Sequence, residues 1–276
     1  MNIIIFSKDR ACQCDLTLTS LFKNAKELCH NVSVLYTGSN ERYFLGYNKL
    51  IEKWKKDVVF VKQGIFKDDL ISLAHTTFAF NCFFTDDDII YRPIEDCEII
   101  RSLLERSPEI CTFSLRMGSN ITIQDYHRNI PIVRPDITYY NDINIWKWRN
   151  AFPNTNYSYP LSVDGHIFRT EEINRFLDKF DYDNPNSFEG RIQQFNDKLP
   201  PLMCSFSKSV VVNTPINRVQ ETCTNLAGVQ YGITPEYMND LWIQGFSINL
   251  DKMNFSNIYG CHQELPIPLR NIINEN

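Results

Sequence analysis

The stretch Phe80-Asn81-Cys82-Phe83-Phe84-Thr85-Asp86-Asp87-Asp88 decides how the rest of the chain is read. An apolar run over 80–84 leads into three adjacent carboxylates, and apolar residues resume at Ile89 and Ile90. Neighbouring aspartates repel one another, and burying them unpaired carries a large penalty. A core strand that ends in such a cluster therefore presents it either to water, as a solvated acidic turn, or to a cation. In an extended or tightly turned segment Asp86 and Asp88, two apart, can point one way while Asp87 points elsewhere. Oxygen ligands of this kind suit Mg²⁺ or Mn²⁺, which keep coordination positions open for substrate phosphates.

The sequence on either side favours the cation. Residues 2–6 are an unbroken apolar run, as expected of a strand buried on both faces, and Ser7-Lys8-Asp9-Arg10 follow at its carboxyl end. Leu18, Leu21, Phe22 and Ala25 then recur at helical spacing. A second strand is predicted over 32–36, followed by the turn Thr37-Gly38-Ser39 with Ser39 as a helix cap. Tyr43, Tyr47, Leu50, Ile51 and Trp54 form the next helical stripe, 58–61 a third strand, and a helix starts near Lys67. Beyond the aspartates, Ile94, Cys97, Ile100, Leu103 and Leu104 mark a helix, and 110–115 a fifth strand ending at Arg116. This alternation predicts an α/β fold with a mainly parallel sheet and right-handed crossovers. Ligands of such sheets gather at the carboxyl ends of the strands, where Ser7 to Arg10, Asp86 to Asp88 and Arg116 all fall.

The pattern changes after residue 117. Residues 118–160 are rich in Asn, Tyr, Trp, Pro and Arg with weak periodicity, and Trp146, Trp148, Tyr157 and Tyr159 suit either core or a sugar-stacking wall. A strand broken by a turn is expected over 161–169, a helix capped by Thr170, and a loop over 184–190 that enters another helix. A strand at 210–212, a helix at 235–242 and a last strand or loop over 257–265 complete the expected elements. The division is 1–116 and 117–276, two halves of one continuous domain.

Composition excludes several classes. The 276 residues are 43% hydrophobic, ample for a core, and the net charge of −5 makes nucleic acid an unfavoured partner. No run of about 18 apolar residues spans a membrane, and the start of the chain reads as a strand rather than a signal peptide. Nine cysteines, none in a CxxC pair and most among apolar residues, suit reduced thiols and a cytoplasmic location.

Taken together, Phe6-Ser7-Lys8-Asp9-Arg10, Phe84-Thr85-Asp86-Asp87-Asp88 and Pro160-Leu161-Ser162-Val163-Asp164-Gly165-His166 resemble glycosyltransferases of the GT-A type over most of the chain. That resemblance implies a Rossmann-like nucleotide-binding half with a mainly parallel sheet, then an acceptor-binding half with a mixed sheet. It implies transfer of a sugar from a UDP- or GDP-sugar to a carbohydrate or glycoconjugate hydroxyl, with Mn²⁺ or Mg²⁺. Asp86 would meet the ribose or metal, Asp88 the metal, and His262 would complete the metal site. Ser7, Lys8, Asp9 and Arg10, with Arg116, would cradle the nucleotide, Arg10 as a donor fork and Asp9 as an acceptor. Asp164, which Gly165 leaves open to close approach of substrate, is the candidate catalytic group, and Glu189 its rival.

Other readings fit less well. A phosphohydrolase of the HAD type would use the first Asp of a DxD pattern on its first strand, not its fourth. A sugar nucleotidyltransferase wants a Gly-rich loop after the first strand, and Ser7-Lys8-Asp9-Arg10-Ala11 has no glycine. A carbohydrate-binding protein without activity has no need of the aspartates.

Overall fold

The structure, a computed structural model, describes residues 1–220, 228 and 230–272. Its first half alternates strand and helix: β1 Asn2–Lys8, α1 Ala11–Asn24, β2 Asn31–Thr37, α2 Glu41–Trp54, β3 Val59–Lys62, α3 Phe66–Ala74 and β4 Phe80–Thr85. There follow β5 Asp88–Ile90, α4 Cys97–Arg106, β6 Ile110–Ser114, β7 Ile123–Asp125, β8 Ile130–Pro131, β9 Ile137–Tyr140 and β10 Ile143–Lys147. The remainder is β11 His166–Arg169, α5 Thr170–Leu177, α6 Pro185–Gln193, β12 Leu202–Phe206, β13 Val211–Asn213, α7 Pro235–Ile243, β14 Phe246–Ile248 and β15 Leu269–Asn271.

One nine-stranded sheet runs through the molecule in the order β3-β2-β1-β4-β11-β6-β12-β10-β9. β3, β2, β1 and β4 are mutually parallel, as the alternating pattern predicts. β11 then inserts antiparallel between β4 and β6, β12 runs parallel to β6, and β10 and β9 are antiparallel. The sheet is therefore parallel on one side and mixed on the other, and it draws strands from both sides of residue 116. Ile3, Ile4 and Ile5 are fully buried, the consequence of helices covering both faces of β1.

The Phe83 ring lies within 6.1 Å of the rings of Phe6, Phe168 and Phe188, tying β1, β4, β11 and α6 together at one point. Because Phe188 is locked there, the next residue, Glu189, is held at the sheet's carboxyl edge. Trp146, Trp148 and Tyr157 are core residues, whereas Tyr159 lines a cavity described below. Six cysteines are buried and all eight described ones are free; Cys223 lies outside the described residues.

Two expected caps are replaced. Asn40, not Ser39, caps α2 by accepting from the N–H groups of Arg42 and Tyr43. Ser39 is drawn away by the Asp9 carboxylate, to which its N–H and hydroxyl both donate. Thr170 opens α5 without capping it, because its hydroxyl donates to the Phe78 carbonyl and accepts from Asn81. The loop expected over 184–190 is mostly helix: Asn184 caps α6, Pro185 sits in its first turn, and Glu189 is helical.

Candidate active site

A cavity of about 1350 Å³ opens at the carboxyl ends of β1 and β4. Its wall includes Asp86, Asp87, Arg116, Asp164, Glu189 and His262, residues up to 176 positions apart in sequence. The aspartate cluster does not alternate as extended backbone would. β4 stops at Thr85, Asp86 and Asp87 form a turn, and β5 begins at Asp88. The turn swings Asp87 toward the cavity alongside Asp86. Asp88 is fully buried instead and is not in the cavity wall. Its carboxylate accepts from the Thr85 N–H (2.8 Å), the Thr85 hydroxyl (3.2 Å) and the Asn213 amide (3.1 Å), which closes the turn. The structure thus places Asp86 with Asp87 in the cavity wall and Asp88 beneath them, because the strand ends at Thr85 and the chain turns there.

Arg10 is the counter-ion of the cluster. Its Nη1 donates to Asp86 at 3.0 Å and to Asp87 at 2.9 Å, while Nε and Nη2 donate to the side chain and carbonyl of Asn217. The expected donor fork is therefore largely occupied within the protein. Asp86 also accepts from the Ser7 hydroxyl (2.8 Å) and the Lys8 N–H (3.1 Å), so the loop after β1 is fastened to the turn after β4. Asp9, expected to accept from a ligand, is outside the cavity wall. It adopts a left-handed φ of 59°, and its carboxylate is spent on Ser39. Lys8 projects from the loop into the cavity.

A second ion pair sits opposite. Arg116 Nη1 donates to Asp164 at 2.9 Å and lies 3.3 Å from His262 Nε2. The Thr85 hydroxyl lies 2.8 Å from Asp87 and 3.3 Å from Asp164, and donates to one of these acids at a time. His262 reaches this point because its segment pairs with Asn213, and its Nε2 lies 3.8 Å from Asp164. Gly165 does not make room for substrate as the sequence suggests. It adopts φ 69°, and a Cβ there would stand 3.3 Å from Phe84 and Val211. Its N–H and carbonyl bond Phe83 and Leu115, which places Asp164 at the edge between β4 and β6. Gly165→Ala should therefore destabilise the protein by about 1–2 kcal/mol, the penalty for a side chain in left-handed backbone. Chemical denaturation measures this, and an unchanged midpoint would refute it.

Glu189 projects from α6 beside Asp164. It accepts from the Val163 N–H at 3.0 Å and is bonded by Ser162 and Tyr159. Burial, with Asp164 adding to it, pushes the Glu189 carboxyl up to about 7 against the pull of Arg116. Burial likewise raises Asp86 to about 6 despite Arg10, with Asp87 adding to the rise. Burial and the charges of Asp164 and Asp87 push Asp88 well above the usual carboxylate range. Burial opposes ionisation of Asp87 too, yet Arg10, Thr85 and Asn213 hold its carboxyl below the ordinary value. Five carboxyls thus share two guanidinium partners, and three of the five are pushed toward protonation.

A divalent cation would relieve that surplus of buried carboxyl groups over guanidinium groups by favouring their ionised form. Asp87 and His262 face the cavity with oxygen and nitrogen donors, a set suited to Mn²⁺ or Mg²⁺. Among the described residues no three His, Cys, Asp or Glu side chains are already drawn together at metal-binding distance. Asn213 and Asn217, which the sequence reading passed over, hold the acids and Arg10 in place. The signal was present: Val210-Val211-Val212-Asn213 repeats the pattern of an apolar run ending in a polar residue at a strand's carboxyl end.

No family model matches the sequence, and no curated protein is significantly similar to it. Solved structures do resemble it in fold, among them six at 13% identity or less with TM-scores of 0.33 to 0.46. The 1–349 fragment of Staphylococcus aureus TarS in complex with UDP aligns with 88% of this chain and 70% of its own, at 12% identity and a TM-score of 0.46. The chain spans 61% of the same fragment in another structure, at a TM-score of 0.44, and 36% of a longer TarS chain. A cytidylyltransferase from Leptospira borgpetersenii aligns with 77% of this chain and 81% of its own at 12% identity, TM-score 0.44. Mouse xyloside xylosyltransferase 1 aligns with 72% and 77% at 12% identity, TM-score 0.33. No described helix is long and apolar enough to cross a membrane.

Proposed function

We propose that this protein is a divalent-cation-dependent glycosyltransferase that moves a sugar from a nucleoside-diphosphate donor to a hydroxyl of a carbohydrate or glycoconjugate. The observation that carries this reading is the surplus of buried carboxylate in the wall of a single cavity at the carboxyl edge of the parallel strands. A divalent cation held there would favour the ionised form of the buried acids and would draw in a diphosphate.

Asp87 and His262 would hold the cation, with Asp86 behind them fastened by Ser7 and Arg10. When bound, the cation neutralises charge on the diphosphate leaving group. The chain's own residues do the rest. Arg10 keeps Asp86 and Asp87 ionised and oriented. Arg116 holds Asp164, and the Thr85 hydroxyl lies within reach of both Asp164 and Asp87. Glu189, whose carboxyl titrates near neutrality, takes the proton of the attacking hydroxyl. Asp164, already paired with Arg116, sits beside it as the negative group facing the positive charge that develops on the sugar.

Mn²⁺ should tighten binding of UDP or GDP, and Asp87→Ala should remove that enhancement. Asp88→Asn should retain it, since Asp88 faces away from the cavity. Calorimetry with and without EDTA decides the matter. Equal affinity in both conditions for the unaltered protein would overturn the proposed function.

A further inference from the structure

Two cations in the cavity wall have no carboxylate partner among the described residues: Lys8 and Arg218. Of the other guanidinium groups in that wall, Arg10 and Arg116 pair with buried acids and Arg128 lies 3.7 Å from Asp125. Lys8 and Arg218 arrive from opposite ends of the sequence. Lys8 ends β1, where its N–H is bound by Asp86, and its side chain is exposed. Arg218 follows a segment laced to the aspartate turn. The Asn213 amide donates to Thr85, Asp87 and Asp88, and the Thr214 N–H donates to the Asp87 carbonyl at 2.7 Å. Asn217 accepts from Arg10 through both its side chain and its carbonyl. The residue after Asn217 is therefore held at the mouth of the acid cluster, with its side chain exposed in the cavity.

From this we infer that Lys8 and Arg218 form a phosphate clamp that grips the diphosphate independently of the divalent cation. The inference rests on the proposed function and assigns Arg218 a ligand. The physical argument is one of unmet pairing. Asp86 and Asp87 already receive Arg10, so Lys8 and Arg218 are left as exposed donors in the cavity wall. A diphosphate offers acceptor oxygens to both, whereas a monophosphate offers fewer. Nucleotide binding then has two additive parts: a cation-dependent part through Asp87, and a part through two side chains that survives chelation.

Calorimetry in EDTA with UDP, UMP, GDP and GMP tests this. The unaltered protein should bind at least one diphosphate more tightly than its own monophosphate. Arg218→Gln and Lys8→Gln should each weaken that diphosphate about tenfold, the effect of losing one charge-assisted hydrogen bond. Both should change the monophosphate less than about twofold and flatten the dependence of diphosphate affinity on salt. Arg218→Lys should recover part of the loss. Diphosphate affinity unchanged in both Gln variants would overturn the clamp, as would an unaltered protein with no preference for diphosphate in EDTA. Binding of diphosphate only with Mn²⁺ would overturn the clamp and leave the proposed function standing. No binding of any of the four nucleotides in either condition would overturn both.

Discussion

Arg10→Met should destabilise the protein by about 3–5 kcal/mol, the range for breaking a buried ion pair from one side. The guanidinium is the shared counter-ion of Asp86 and Asp87, and methionine fills similar space while leaving both carboxylates uncompensated. Denaturant melts in EDTA measure the loss, and a change below about 1 kcal/mol would refute the assignment. Mn²⁺ should restore part of it, because a cation at Asp87 replaces some of the missing charge. Acid should do so as well. A carboxyl whose folded-state value is raised binds its proton more tightly folded than unfolded, so stability falls as pH rises through the window between the two values. For Asp86 in the unaltered protein that window runs from 3.8 to about 6. Without Arg10 it should extend upward, so the gap between variant and parent narrows toward pH 4 and widens toward pH 7.

Glu189→Gln should cut turnover by about 10²–10⁴-fold, the range for a lost acid–base group. Affinity for UDP or GDP with Mn²⁺ should be kept, because Glu189 touches Val163, Ser162 and Tyr159 rather than the aspartate turn. The pH profile separates this role from a structural one. A base must be deprotonated to act, so kcat/KM should rise with pH through the value near 7 that burial and Asp164 impose on Glu189. The Gln variant should lose that inflection. Asp164→Asn should also lower turnover, but with an inflection retained at lower pH, since Glu189 still titrates without the charge of Asp164 beside it. If the inflection survives in Glu189→Gln and disappears in Asp164→Asn, the base is Asp164.

Lys8 and Arg218 add a consequence for regulation by salt. The clamp lies in solvent-facing cavity wall, so its share of nucleotide affinity should weaken as ionic strength rises, while contacts around the buried Arg10 change little.

The α/β class was legible in the sequence because apolar periodicity is local. Residues 2–6 and 80–84 read as strands buried on both faces, and they are. That polar side chains gather at the carboxyl ends of those strands was legible for the same reason: a strand buried on both faces can shed polar side chains only at its end. What each polar side chain does there was decided by tertiary contacts. Asp88 rather than Asp87 turned inward because the strand broke into a turn at Asp86, which Asn213 closes from across the fold. Arg10 was consumed by Asp86, Asp87 and Asn217, partners at least 76 positions away. Asp9 was taken by Ser39, which in turn passed the helix cap to Asn40. Gly165 served the packing of Phe84 and Val211, not a substrate. A residue type and its spacing state which bonds a side chain is able to make. Which of them it makes depends on the competitors the folded chain brings within hydrogen-bond reach, and in a buried polar cluster every donor and acceptor has several.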